Sequence, residues 1–279
     1  MKTLHEFIKT KDYLICVDSD GCAMDTMNSK HQLCFGPMLV KEWGLQRWEK
    51  EILDRWNTVN LFSMSRGINR FLGLGMLLEE IDKTYTPIEG ASMFLSWVQS
   101  AQELSNATVL AKMQASGQTV FKKAYAWSIA VNTAITNLPE EVKVPFPGIT
   151  EGLACAKEIA NLGIISAANP EAVLQEWTQH QLMDYMDVSL AQDVGTKSYC
   201  IAKMLEFGFD PEKVVMVGDA PGDLAAAREN NILYFPILVR HEAESWARFR
   251  TEMLDRLISG TYRGAYQDSL IEAFLANLS

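Results

Sequence analysis

Tyr13-Leu14-Ile15-Cys16-Val17 leading into Asp18-Ser19-Asp20-Gly21, and Val214-Val215-Met216-Val217 leading into Gly218-Asp219-Ala220-Pro221-Gly222-Asp223, are the stretches on which the reading of this chain turns. Each is a short apolar run that ends in carboxylates, the pattern of a strand buried on both faces of a parallel sheet. Open α/β sheets bind ligands at the carboxyl ends of their strands. Two strands ending this way can therefore bring Asp18, Asp20, Asp219 and Asp223 into one crevice. Like charges gathered there raise one another's pKa unless a cation intervenes, so a hard divalent ion is implied. Mg²⁺ suits the site, because it is held by one or two carboxylates plus water and substrate phosphate.

Outward from these stretches the pattern divides. Beyond Asp25-Thr26 it is helical for more than a hundred residues, with helices expected at 32–43, 47–56, 68–80, 91–104 and 111–136. The block closes on Pro139, Pro145 and Pro147-Gly148, a cluster of breakers suited to a hinge. Strand and helix then alternate: helix 152–161, strand 162–166, helix 171–179, strand 188–190, helix 197–207, strand 214–217, helix 222–230 and strand 232–235. Such alternation predicts a doubly wound, Rossmann-like parallel sheet with crossover helices. The expected organisation is an α/β core of residues 1–26 and 147–279, interrupted by an all-helical domain at 27–146. The core would end in a helical extension over 240–279, with amphipathic helices at 241–257 and 268–278. Trp246, Phe249, Met253 and Leu257 form one stripe of it, read as packing against the core, with a partner surface as the alternative.

The composition sets bounds. At 279 residues, 48% hydrophobic and 22% charged, the chain is an ordinary globular sequence with room for one large or two modest domains. Its formal net charge of −10 provides no general basic footprint for nucleic acid or an anionic membrane, so an anionic substrate would need local cations and metal. The start, Met1 to Phe7, lacks the apolar core of a signal peptide and no run is long enough to span a bilayer, so cytoplasm is expected. Five cysteines, Cys16, Cys22, Cys34, Cys155 and Cys200, form no zinc spacing and suit reduced, packed thiols. His31 and His241 have no motif around them.

With Gly163-Ile164-Ile165-Ser166 and Lys197 lying between the two acidic stretches, the chain resembles the haloacid dehalogenase-like (HAD) hydrolase superfamily. That signature runs from an apolar strand with Asp-x-Asp-Gly, through a strand ending in Ser or Thr and a Lys, to Gly-Asp-x-x-x-Asp. The match covers about residues 12–30 and 145–240. The resemblance implies that the helical insertion is a cap that closes over the site. It also implies that Asp18 is a nucleophile forming an aspartyl-phosphate, and that Asp20 is the general acid-base. Family members that dehalogenate lack this second Asp, so its presence implies phosphoryl transfer. Gly21, with Cys22, would turn backbone N–H groups toward phosphoryl oxygens, Ser166 would donate its hydroxyl and Lys197 would neutralise charge. Mg²⁺ would be held by Asp18, the Asp20 backbone carbonyl, Asp219 and Asp223.

Several residues keep a second reading. Asp25 and Asp223 could cap helices. Lys203 competes with Lys197 for the motif position. Arg66 and Arg70, one helical turn apart, could grip a second anionic group of the substrate or simply form a solvated face. The expected activity is Mg²⁺-dependent hydrolysis of a small phosphorylated metabolite. A phosphomutase and a non-catalytic ligand-binding relative are the alternatives, and the oligomeric state is left open.

Overall fold

Five strands form one sheet in this computed structural model, which describes residues 4–279; residues 1–3, part of the leader reading above, lie outside it. They are β1 (Tyr13–Val17), β2 (Ala160–Ile165), β3 (Val188–Leu190), β4 (Val214–Gly218) and β5 (Leu233–Pro236). The order is β3-β2-β1-β4-β5, and every neighbouring pair is parallel. The unbroken apolar runs have the expected cause: every residue of β2, β4 and β5 is buried, because crossover helices cover the sheet. These helices are Ile149–Ile159, Pro170–Gln179, Lys197–Leu205 and Pro221–Glu229. From β1 the chain builds outward to β2 and β3, then crosses back to β4 on the other side of β1. The switch point of the sheet therefore falls between β1 and β4, the two strands that end in carboxylates.

Asn161, expected at the end of a helix, instead lies in β2. Its side chain is fully bonded there: Oδ1 accepts from the Thr10 and Lys11 amides, and Nδ2 donates to Asp187 and Thr10. Those partners satisfy a buried polar group in a strand of otherwise apolar residues. The C-terminal extension runs as Glu242–Arg248, a π-helical turn at Phe249–Met253 and Leu254–Ile258, followed by Ala265–Asn277. Trp246, Phe249, Met253 and Leu257 all join the hydrophobic core with Ile15, Val17 and Val217, so the stripe packs inward.

The chain divides into two compact units, one of residues up to Met27 with Glu140–Ser279 and the other of Asn28–Pro139. The sequence reading carries the insertion to residue 146; residues 140–146 group with the first unit. The second unit is helical, with Gly36–Trp43, Glu49–Leu61, Arg70–Thr84, Ala91–Ser100, Asn106–Ser116 and Thr119–Thr136 as its principal helices. It has its own core, in which Trp56, Phe71, Phe94, Phe121 and Trp127 are buried. The single helix expected at 111–136 is two helices. Ser105 and Thr108 form a capping box that starts the first at Asn106, and Gly117, at φ +65°, ends it in the left-handed conformation.

Candidate active site

β1 and β4 are paired with Val17 beside Val217, so Asp18 and, one residue further along, Asp219 leave neighbouring strand ends. The Asp18 N–H extends the ladder by one more bond, to the Val217 carbonyl at 3.0 Å. Asp223 comes from the first turn of the helix Pro221–Glu229 and folds back onto Gly218, where a Cβ would overlap its carboxyl group. Its Oδ2 accepts from the Ala220 N–H at 3.0 Å, so the helix-capping reading holds as well. One carboxylate oxygen from each of Asp18, Asp219 and Asp223 lies within 4.8 Å of the others. The three residues are 5%, 1% and 0% exposed.

Lys197 is the cation among them. Thr196 caps the helix Lys197–Leu205 by accepting from the Tyr199 N–H, which sets Lys197 at the first helical position. Its Nζ stands 2.9 Å from Asp18 Oδ2 and 2.5 Å from Asp223 Oδ1. Lys203 instead pairs with Glu206 at 2.7 Å on the outer side of the same helix. Burial alone would lower the Lys197 pKa, but Asp18 and Asp223 outweigh it and push it upward, so the ammonium stays charged. Burial raises the Asp18 carboxyl well above its usual range; Lys197 works against this, while Asp223 and Asp219 add to it. Three carboxylates against one ammonium leave an excess of negative charge in a buried place. A divalent cation fits this all-oxygen, hard-donor set and would keep Asp18 ionised.

Asp20 lies beyond the sheet, in a turn whose amides close on themselves. The Ala23 and Met24 N–H groups donate to the Ser19 carbonyl, both at 2.9 Å. Gly21, at φ +85°, has the left-handed backbone that favours glycine. Its N–H donates to the Met24 carbonyl and that of Cys22 to the Ser19 carbonyl. Both amides are thus bonded within the turn. The Thr26 hydroxyl donates to Asp20 Oδ1 at 2.5 Å. The Cys22 thiol donates to the Val217 carbonyl, and burial beside Asp219 and Asp18 raises its pKa well above the ordinary thiol range. It stays protonated, in line with a packing role. Ser166 directly follows β2, and its Oγ accepts from the Ala168 N–H, leaving the hydroxyl proton available to donate.

Arg66 and Arg70 do not share a helix face. Asn69 caps the helix Arg70–Thr84 by accepting from the Phe71 N–H, so Arg66 lies in the preceding turns. Arg66 is buried and donates to the Leu61 carbonyl. Arg70 donates to Ser128 and Asn132 and stacks 5.0 Å from the Phe35 ring. Arg70 thus ties the start of its helix to the helix Thr119–Thr136.

Four supporting side chains escaped the sequence reading as parts of the site: Thr26, Trp177, Tyr234 and Trp246. Trp177 Nε1 donates to Ser19 Oγ and Trp246 Nε1 to the Cys22 carbonyl. The Tyr234 hydroxyl donates to the Gly218 carbonyl at 3.0 Å. Thr26, in the Asp25-Thr26 pair, and Trp246, in the amphipathic stripe, are singled out by the sequence reading, whereas Trp177 and Tyr234 are read only as members of an expected helix and strand.

The chain belongs to the haloacid dehalogenase-like hydrolases, whose sequence model matches residues 79–236, more than half of its length. The matched span includes Ser166, Lys197, Asp219 and Asp223, while Asp18 and Asp20 precede it. Among solved structures, the chain is similar to a HAD-superfamily hydrolase, subfamily IA, variant 1, from Geobacter sulfurreducens PCA: 16% identity, covering 82% of this chain and 90% of that one, TM-score 0.43. It is also similar to a haloacid dehalogenase-like family hydrolase from Streptococcus pneumoniae, at 13% identity, 88% and 97% coverage and TM-score 0.47. A predicted phosphoglycolate phosphatase from Haemophilus somnus 129pt matches at 14% identity, 81% and 85% coverage and TM-score 0.46. No curated protein matches the sequence. Among the described residues, no helix is long and apolar enough to cross a membrane.

Proposed function

We propose that this hydrolase removes the phosphoryl group from a small phosphorylated metabolite, with Asp18 as nucleophile. The observation that carries the reading is Lys197 bridging Asp18 and Asp223 at the switch point of the sheet, a buried carboxylate held beside a permanent cation. Asp18 attacks phosphorus, the ester oxygen departs, and an aspartyl-phosphate results. Asp20, two residues on and anchored by Thr26, gives its proton to the departing oxygen and later takes one from the water that cleaves the acyl phosphate. Lys197 offsets charge on Asp18 and on the phosphoryl oxygens, and Ser166 donates to one of those oxygens. Asp18, Asp219 and Asp223, with the Asp20 carbonyl, would hold Mg²⁺, which when bound supplies Lewis-acid stabilisation of phosphoryl charge. The helical unit is read as the cap that governs access.

The test is phosphate release from a panel of sugar phosphates, nucleotides and phosphorylated acids with Mg²⁺, with and without excess chelator. Release that depends on metal and disappears in Asp18→Asn is expected, because an amide of the same shape is a poor nucleophile and ligand. Full activity in Asp18→Asn or in chelator would overturn the mechanism. Return of the phosphoryl group in an isomeric product would assign a mutase instead.

A further inference from the structure

Asp18 and Asp20 are held by different means. Asp18 has the last ladder bond to Val217 and the ion pair to Lys197, whereas Asp20 rides on the turn of residues 19–24, beyond the sheet. Two indole N–H groups reach that turn from distant parts of the chain. Trp177, in the helix Pro170–Gln179, donates to Ser19 Oγ at 2.9 Å; Trp246, in the C-terminal extension, donates to the Cys22 carbonyl at 3.0 Å. Both side chains are fully buried, so neither N–H can exchange its partner for water, and releasing the turn would leave a buried donor unsatisfied. The extension comes this close because Gly148 and Gly152 face Trp246, where added Cβ atoms would stand 3.3 and 3.0 Å from it. One bond falls at the entry to the turn and the other at its middle, on either side of Asp20.

We propose that Trp177 and Trp246 are positioning residues for Asp20, fixing the turn so that its carboxyl group meets the leaving-group oxygen. The inference rests on the phosphatase reading for its chemical consequence. Proton donation matters for an alkoxide leaving group and little for p-nitrophenolate, which departs without a proton. Loosening the turn should therefore discriminate between esters, whereas general damage to the fold should not.

The experiment compares wild type, Trp177→Phe and Trp246→Phe with Mg²⁺ on p-nitrophenyl phosphate and on glycerol 2-phosphate. In the variants kcat/KM should fall about tenfold or more for the glycerol ester and less than about threefold for the nitrophenyl ester. Ser19→Ala removes the Trp177 acceptor while keeping the ring, and should reproduce the Trp177→Phe selectivity even if that variant folds poorly. Equal losses on the two esters, or no loss on either, would overturn the proposal. Amide hydrogen exchange provides a reading independent of turnover. In both Trp variants residues 21–24 should exchange about tenfold faster while β1 and β4 keep their protection. If wild type turned over neither ester, the substrate panel would decide the phosphatase reading and exchange alone the positioning role: unchanged protection of the turn would overturn it, and a selective rise would sustain it.

Discussion

Gly218 gives the spacing Gly-Asp-x-x-x-Asp a steric reason: the Asp223 carboxyl group occupies the space a Cβ would need, and only so can it meet Lys197. Gly218→Ala should shift Asp223 and cost about 1–3 kcal/mol, the usual range for overpacking. Because a misplacement of about 1 Å can reduce turnover by about 10², kcat should fall much further than stability alone would explain. A thermal melt and a Mg²⁺ titration of activity check both halves. Thr26 makes a similar point about Asp20. Thr26→Val keeps the shape of a residue only 1% exposed and removes the 2.5 Å hydrogen bond to Asp20. Bonds to charged groups contribute about 1.5–3 kcal/mol to stability, so the variant should melt at a lower temperature and, where it is still folded, lose about tenfold in kcat. An unaltered kcat would show that Asp20 does not need this anchor.

At the scale of elements, the start of β2 shows how a strand end is secured. Burial works to raise the Asp187 carboxyl, but hydrogen bonds from Lys157, Asn161 and the Leu162 amide outweigh it and hold the pKa below the usual carboxylate range. A carboxyl group whose folded pKa is depressed stabilises the fold above its unfolded pKa, about 3.9. That contribution is lost as pH falls through the lower folded value. Asp187→Ala should thus be less stable than wild type by about 1–3 kcal/mol near neutral pH, with the gap narrowing below about pH 4. Urea melts at several pH values test this, and a gap independent of pH would remove Asp187 from the account. The strands themselves were legible, since a parallel strand covered on both faces has to be an apolar run. The break at Gly117 was not, because the flanking residues keep helical periodicity and only the left-handed glycine interrupts it. Lys197 is preferred over Lys203 from the sequence, as the residue at the start of the helix Lys197–Leu205. Thr196 caps it so that the first residue reaches the strand ends and the seventh reaches Glu206.

For the whole molecule, the two units each bury their own apolar residues. Residues 28–139 expressed alone should therefore fold, with a helical circular dichroism spectrum and a cooperative melt that reports burial of Trp56 and Trp127. A broad, non-cooperative transition would show that this core depends on the rest of the chain. The sequence by itself determined the α/β class, the helical insertion and the four carboxylates that follow the ends of β1 and β4, because burial and strand-end chemistry leave periodic, local traces. Only the tertiary structure decided what holds those carboxylates. Lys197 reaches Asp18 and Asp223, and the indoles reach Ser19 and Cys22 across 158 and 224 residues of chain. Contacts so distant in sequence leave no spacing to read, since they exist only where the parallel crossovers bring β1, β4 and the C-terminal helices to one end of the sheet.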